Sequence, residues 1–246
     1  MVRALRSLMH RAPYRPTAVP ILTAMAGPRS PKGRAVEAAR RLAGAYPGDL
    51  CELEHRNAFE LLVATILSAQ TTDARVNLVT PALFGRFPGP ADLAAADPAT
   101  VEELVRSTGF YQQKTKALLG MAGALVDRFD GEVPTRLDDL VTIPGVGRKT
   151  ANIVRTVAFG QPGSPVDTHV RRVAARLVLT EQTDPVKIER DLDALLPRAQ
   201  RGPVALRLIL HGRRVCEARR PACERCVLED ICPSSRLPRT GRRRAR

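Results

Sequence analysis

The stretch IPGVGRKTAN, residues 143–152, places Gly145, Gly147 and Lys149 at every second position. Glycines at such a turn let backbone N–H groups close on an anion, most often a phosphate. The amine of Lys149 could add another phosphate contact, or it could act as a nucleophile that forms a Schiff base with a sugar carbon. A nucleophilic amine must be uncharged, and both the adjacent Arg148 and the positive end of the following helix favour that state. The residues alone leave both roles of Lys149 open.

This glycine turn matches neither of the common nucleotide-binding loops. A Walker A loop requires Gly-Lys-Ser/Thr as neighbours, whereas Arg148 separates Gly147 from Lys149. A dinucleotide fingerprint requires a third glycine where Thr150 stands, and the preceding RLDDLVTI is predicted to be a short helix rather than a strand. The turn is instead suited to anchor a phosphodiester at a helix N-terminus without reading any base.

A carboxylate and an imidazole follow in SPVDTHVRRVAARL, residues 164–177. Asp167 is expected to cap a helix whose apolar positions recur at helical spacing. Beside a sugar ring, the same carboxylate could stabilise positive charge developing at C1′ or relay protons to and from an amine. His169 is expected to pack or to touch phosphate rather than to act as a base. Asp167 is therefore either a plain helix cap or a catalytic carboxylate.

Four of the five cysteines fall in CEARRPACERCVLEDIC, with the spacing C-x6-C-x2-C-x5-C. They are Cys216, Cys223, Cys226 and Cys232. Four thiolates in so short a loop suit a tetrahedral zinc ion or a [4Fe–4S] cluster, and the spacing does not separate the two. A loop held by metal would display Arg219, Arg220 and Arg225 as a rigid basic surface. Cys51 stands apart and is expected to be a small buried hydrophobe.

The overall charge points to a polyanionic partner. The 246 residues carry a net charge of +14 with a pI near 10.7, and no apolar run reaches transmembrane length. Nucleic acid is the commonest such partner, the alternative being a protein that is merely basic. The absence of tryptophan argues against a stacking platform for single strands. The acid-free, proline-interrupted residues 1–36 predict a disordered basic arm, and RTGRRRAR at the C-terminus a basic tail.

Helices must position these residues, because alternating strand patterns are scarce. AFELLVATILSAQ, residues 58–70, is apolar nearly all round and is predicted to be the buried central helix of a bundle. Asp97-Pro98 and Asp184-Pro185 each predict a capped helix start. The glycine turn is predicted to be a hairpin between a short helix ending near Thr142 and a helix starting near Arg148. The fold class is therefore all-α.

Several motifs in this order carry a resemblance to a known family. They are LSAQTTD (67–73), GFYQQK (109–114), GEVP (131–134), IPGVGRKTAN, VDTHV (166–170), LILHGR (208–213) and the four-cysteine loop. Together, from about residue 31 to 236, they closely resemble the endonuclease III family, bifunctional DNA glycosylases of the helix-hairpin-helix superfamily.

The resemblance implies a two-lobed fold. Residues 51–161 would form a six-helix barrel lobe containing the helix-hairpin-helix at about 137–156. Residues 31–50 together with 162–236 would form the iron–sulfur lobe, which is discontinuous in sequence. Residues 1–30 would remain as the basic arm and residues 237–246 as the basic tail. Duplex DNA would lie across the cleft between the lobes, and the protein is expected to be a monomer without a membrane partner.

The resemblance also implies roles for individual residues. Lys149 matches the Schiff-base lysine and Asp167 the catalytic aspartate, and the four cysteines match ligands of a [4Fe–4S] cluster. Gln70 matches the wedge residue that fills the gap left by a flipped nucleotide. The second intercalating position is usually occupied by an aliphatic residue. Here it is Phe110, and this departure affects which base is expected opposite the lesion. The remaining DNA contacts are expected at Gly145, Val146, Gly147, Arg148, Thr150, His169, Arg219 and Arg220.

The implied activity is removal of oxidised pyrimidines from duplex DNA, followed by cleavage 3′ to the abasic site. A monofunctional adenine-mismatch glycosylase of the same superfamily is the nearest rival, but such relatives lack a lysine at this position. A non-catalytic iron–sulfur DNA-binding module and a zinc-bound structural variant are the others. The expected location is the cytoplasm in association with the nucleoid, with organelle targeting by residues 1–30 left open.

Overall fold

The computed structural model describes residues 28–238, and this range is helical with no strand. The predicted arm, apart from residues 28–30, and the predicted tail, apart from residues 237 and 238, lie outside the described residues. The helices are α1 Pro31–Ala45, α2 Ala58–Leu67, α3 Asp73–Arg86, α4 Pro90–Ala94, α5 Pro98–Val105, α6 Tyr111–Phe129, α7 Leu137–Leu140, α8 Arg148–Phe159, α9 Thr168–Arg176, α10 Pro185–Leu195 and α11 Arg198–Arg214. Short 3₁₀ turns cover Arg106–Thr108, Cys223–Arg225 and Glu229–Ile231. The all-α prediction is confirmed.

Two hydrophobic cores organise these helices. The first is built from helices α2 to α8, with α2 at its centre, where every residue from Phe59 to Leu67 is buried. The second joins α1 to α9, α10 and α11 and includes buried Leu228 and Ile231 next to the cysteines. The second core is therefore built from two separate parts of the chain, one before and one after the part that builds the first core. The exact lobe limits, 51–161 and 31–50 with 162–236, stay a prediction.

The helix starts follow the capping signals in the sequence. The side chain of Asp97 accepts a hydrogen bond from Thr100 N–H at the start of α5, and that of Asp184 accepts one from Lys187 N–H at the start of α10. In each case a side-chain oxygen satisfies an N–H that has no partner inside the helix. No helix within residues 28–238 is long and apolar enough to cross a membrane.

Glycines allow α11 to pack closely against α9 in its own core and against α8 of the first core. A Cβ at Gly212 of α11 would lie 2.7 Å from the Cβ of His169 on α9, and one at Gly202 would lie 2.3 Å from a methyl carbon of Thr156 on α8. Real side-chain atoms do not approach so closely, so larger residues would push α11 away from α8 and α9. The helices that carry Lys149 and Asp167 are therefore both held against α11.

Candidate active site and cysteine loop

Lys149 and Asp167 meet where two helices begin. Lys149 is the second residue of α8, and its Nζ lies 3.9 Å from Oδ2 of Asp167. Asp167 is the N-cap of α9, and its Oδ1 accepts hydrogen bonds from the backbone N–H groups of His169 and Val170 at 2.8 and 2.9 Å. The lysine side chain is 45% exposed and the aspartate 10%. An accessible amine therefore faces a fixed, largely buried carboxylate.

The hairpin in front of Lys149 connects α7 to α8 as the sequence indicates. Gly145 has φ +76°, and a Cβ there would lie 2.8 Å from the Cβ of Ala117 on α6. Gly147 is the N-cap of α8 and supplies no side-chain cap. The first N–H groups of α8 are therefore left without a side-chain acceptor from the cap, in the arrangement that suits a bound phosphate.

Two residues predicted to contact DNA from this hairpin have their groups engaged within the protein. Val146 is 5% exposed, and its N–H donates to the carbonyl of Ile143 at 3.1 Å. Arg148 forms a two-pronged pair with Glu189 of α10, at 2.7 and 3.1 Å. Glu189 thus compensates the positive charge expected to act on the neighbouring amine of Lys149. Thr150, in the first turn of α8, is partly buried.

Gln70 and Phe110 lie in exposed turns of the first core. Both adopt left-handed backbone conformations, with φ of +55° and +50°. Gln70 follows α2, and Phe110 directly precedes α6, where its side chain is 57% exposed. A large aromatic side chain at an exposed, left-handed turn is costly without a partner. The contact of Phe110 with DNA stays a prediction.

His169 packs against α11 beside the site. Nη2 of Arg172 lies 3.0 Å from its Nδ1, and because a guanidinium has only donors, Nδ1 must accept this hydrogen bond. Burial lowers the pKa of the His169 imidazole below its ordinary value. His169 is thus packed against α11, and the phosphate contact that was also expected of it stays a prediction.

The four cysteines surround a single small cavity that Arg176 and Val215 also line. Within residues 28–238, no three His, Cys, Asp or Glu side chains converge closely enough for one metal ion. Several N–H groups point at the sulfurs: Nη1 of Arg176 lies 3.1 Å from Sγ of Cys216, and Leu228 N lies 3.4 Å from Sγ of Cys226. Burial raises the pKa of the Cys226 thiol to about 12. A metal bound there would have to displace that proton.

Comparison with known proteins decides the family. Residues 63–198 match the family described as HhH-GPD superfamily base excision DNA repair protein. Endonuclease III of Synechocystis sp. is 51% identical over 207 residues, which cover 84% of this chain and 94% of that protein. The chain belongs to the endonuclease III family. It is therefore a base-excision-repair DNA glycosylase that also acts as an AP lyase.

Solved structures agree with this family assignment. An endonuclease III in a non-covalent complex with DNA matches with a TM-score of 0.78 and 40% identity, covering 82% of this chain and 95% of that one. An endonuclease III trapped as a covalent intermediate with DNA matches with a TM-score of 0.78 and 41% identity, covering 82% and 96%. The two-lobed helix-hairpin-helix fold predicted from the motifs is confirmed.

In this endonuclease III homologue, arginines of α9 fasten the cysteine loop. Arg172 donates to the carbonyls of Cys216 and Gly212, and Arg176 donates to the carbonyls of Cys216, Glu217 and Ala218. The sequence motifs did not point to these two residues. Their spacing of four positions on a helix that begins at Asp167 was the available signal, since it places both on one face. The helix that Asp167 caps thus also holds the loop that carries exposed Arg219 and Arg220.

Proposed function

We propose that this enzyme removes oxidised pyrimidines from duplex DNA through nucleotide flipping, with Lys149 as the nucleophile and Asp167 as its catalytic partner. The observation that carries the proposal is the contact of 3.9 Å between Nζ of Lys149 and Oδ2 of Asp167 at two adjoining helix starts. An exposed amine beside a fixed carboxylate is what a Schiff-base mechanism requires. Family membership supports the activity but does not by itself assign these roles.

In the proposed first step, the neutral amine of Lys149 attacks C1′ of the flipped deoxyribose. The bond from C1′ to the base nitrogen breaks, and its electron pair leaves with the base, which takes up a proton. The ring C1′–O4′ bond then opens, O4′ takes up a proton that leaves Nζ, and the C1′=N Schiff base forms. Loss of a proton from C2′ expels the 3′ phosphate by breaking the C3′–O bond. The strand is thereby cut 3′ to the lesion.

Asp167 would assist through its Oδ2 oxygen. This oxygen faces Lys149, whereas Oδ1 is held by two backbone N–H groups, so the carboxylate cannot rotate without breaking the cap of α9. The negative charge would stabilise the positive charge that develops at C1′ as the base leaves. The same oxygen could take a proton from Nζ, directly or through one water molecule. Because Arg148 is paired with Glu189, the carboxylate is the charged group we expect to govern the amine.

The proposed DNA surface combines phosphate contacts with two wedges. The free first-turn N–H groups of α8, reached past Gly145 and Gly147, would hold the backbone of the lesion strand. Exposed Gln70 would fill the space left by the flipped nucleotide, and Phe110 would enter the stack beside it. Extrusion costs a few kcal/mol, and least where damage has already weakened stacking. A non-planar, oxidised pyrimidine is therefore easier to flip than an intact one.

We further propose that the four cysteines hold a [4Fe–4S] cluster. A zinc ion requires all four sulfurs within about 2.3 Å of one point, whereas here they surround a cavity, a better fit to a group with several metal atoms. When bound, the cluster would supply one-electron redox chemistry and four bonds that cross-link the loop. Arg219 and Arg220, both exposed on this loop, would then be held toward DNA phosphates. We expect a monomer that acts at the DNA of the cytoplasm.

A panel of duplexes tests the substrate proposal when base release and strand cleavage are scored separately. One duplex carries thymine glycol, one an abasic site, one adenine opposite 8-oxoguanine, and one no lesion. We expect base release and nicking with thymine glycol, and nicking alone with the abasic duplex. Release of adenine without nicking would favour the monofunctional rival. An intact abasic strand would favour a binding module without catalysis.

A further inference from the structure

A buried histidine connects the cysteine loop to the C-terminal end of α1. His211 of α11 is 1% exposed, and its Nε2 lies 3.4 Å from Sγ of Cys226. On its other side, Nδ1 lies 3.0 Å from the hydroxyl oxygen of Tyr46, which is 4% exposed at the end of α1. None of the sequence motifs predicted this contact between residues 46, 211 and 226.

Hydrogen-bond chemistry fixes the direction of this chain of three groups. A neutral imidazole has one N–H donor and one lone-pair acceptor. If Nδ1 carried the proton, the lone pair of Nε2 would face the sulfur of Cys226, and two acceptors would be buried against each other when that sulfur is a thiolate. With the Tyr46 hydroxyl donating to Nδ1, the proton lies on Nε2 and points at the sulfur. Every group then has a partner, as buried polar groups require.

We propose that Tyr46 and His211 form a hydrogen-bond relay that delivers an N–H donor to Cys226 and raises the reduction potential of the cluster. This inference rests on the proposed [4Fe–4S] cluster. An N–H donor withdraws electron density from the thiolate, which stabilises the form of the cluster that holds the additional electron. Tyr46 acts as a positioning residue, because it selects the tautomer of His211 without touching the sulfur.

The relay differs from the other donors that point at the sulfurs. Arg176 reaches Cys216 with a charged guanidinium that also holds three backbone carbonyls, so its removal would disturb the whole loop. Leu228 donates through its backbone, which no substitution removes cleanly. Tyr46→Phe, by contrast, deletes one oxygen atom and keeps the ring that packs edge-on against His211, at 6.0 Å between centroids.

The test is the reduction potential of the full-length, iron-loaded protein, measured by voltammetry for the wild type and three variants. His211→Leu should lower the equilibrium constant for one-electron reduction about tenfold, a shift of about 59 mV toward negative values. Tyr46→Phe should shift the potential in the same direction by a smaller amount. His211→Gln, whose amide can still donate, should recover part of the loss. Ser164→Ala, which removes a buried hydroxyl bonded to Asp193 in the same lobe, should match the wild type.

The possible outcomes distinguish a failure of the relay proposal from a failure of the cluster proposal. Iron and sulfide content and absorbance near 400 nm are measured on the same samples. Equal potentials in fully loaded wild type, His211→Leu and Tyr46→Phe would overturn the relay and leave the cluster proposal intact. A wild-type protein without iron would overturn both. If His211→Leu does not bind iron, the reduction potential of Tyr46→Phe alone tests the relay. This variant is expected to load, because Tyr46 does not touch the sulfur.

Discussion

Asp167 divides its two carboxylate oxygens between structure and Lys149. Oδ1 accepts both N–H groups that begin α9, and Oδ2 faces Nζ of Lys149 at 3.9 Å. The sequence left a plain cap and a catalytic carboxylate as alternatives. In the structure the cap uses only Oδ1, so Oδ2 is left to face the amine, and a catalytic role for this oxygen stays a proposal. Fixing the carboxylate through its cap holds it in place before any substrate arrives, which is how electrostatic stabilisation becomes effective.

Asp167→Asn should separate the two functions of this residue. Asparagine caps helices about as well as aspartate, so the melting temperature should stay close to that of the wild type. Loss of the negative charge should slow base release and strand cleavage by about 100-fold or more. Asp184→Asn, at the equivalent cap of α10, is the matched control and should leave both rates unchanged. Equal rates for wild type and Asp167→Asn would reduce Asp167 to a structural cap.

The two hairpin glycines should respond differently to alanine. At Gly145, a methyl group meets Ala117 at 2.8 Å on a backbone with φ of +76°, so Gly145→Ala should destabilise the fold by roughly 2–4 kcal/mol. At Gly147, φ is −84° and a Cβ would meet nothing within 4 Å. Gly147→Ala should therefore cost less than about 1 kcal/mol in denaturant unfolding.

DNA affinity then tests the phosphate contact at the same hairpin. A methyl group at Gly147 would occupy the space through which a phosphate approaches the first N–H groups of α8. Gly147→Ala should raise the Kd for duplex DNA roughly tenfold, about 1.4 kcal/mol, while keeping its fold. A Kd equal to that of the wild type would show that no phosphate comes this close.

Lys114 should support the turn that carries Phe110. Its amine is buried in α6 and donates to the carbonyl of Thr108 at 2.8 Å, and burial lowers its pKa. Lys114→Met leaves that carbonyl without its donor and should loosen the turn. We expect KM for a lesion duplex to rise roughly fivefold, about 1 kcal/mol, with kcat little changed.

Lys116→Met removes the same charge from an exposed position of the same helix and serves as the control. It should leave KM near the wild-type value. In a Phe110→Ala background, Lys114→Met should have little further effect, because the side chain it positions is already gone. If Lys114→Met raised KM as much in that background as in the wild type, Lys114 would not act by supporting the turn that carries Phe110.

Much of the site could be predicted because its determinants are local in sequence. Asp167 carries a capping signal, the glycines of the hairpin require a turn, and the four cysteines lie within one loop. Contacts between distant residues could not be predicted in this way. Glu189 is 41 positions from Arg148, and Tyr46 is 165 positions from His211. Capping and periodicity say nothing about which side chains of separate helices meet.

Backbone conformation was a second feature that could not be predicted from the sequence. Gln70 and Phe110 both have positive φ, although neither is the residue type that a left-handed turn predicts. The resemblance to the endonuclease III family named both positions, but only the structure shows the strained turns that present them. The pairing of Arg148 with Glu189, which bears on the expected influence of Arg148 on Lys149, could not be predicted for a related reason, since no motif contains Glu189.

Cys51 should react with alkylating agents only at high pH. Burial raises the pKa of its thiol to about 11, so about one molecule in a thousand carries the reactive thiolate at pH 8. The alkylation rate of the Cys51 peptide, followed by mass spectrometry, should rise about tenfold per pH unit up to pH 10. The same peptide in urea should level off near the ordinary cysteine pKa of about 8.5. If the alkylation rate in the folded protein also levelled off near that pH, the raised pKa of the buried Cys51 thiol would be contradicted.

Borohydride trapping on a thymine glycol duplex tests the central claim most directly. Reduction should convert the Schiff base into a stable cross-link, and peptide mapping should place the DNA on Lys149. Lys149→Ala should form no cross-link, whereas Lys187→Ala, an exposed lysine at the start of α10, should cross-link like the wild type. A cross-link that persists in Lys149→Ala, or that maps to another amine in the wild type, would contradict the account.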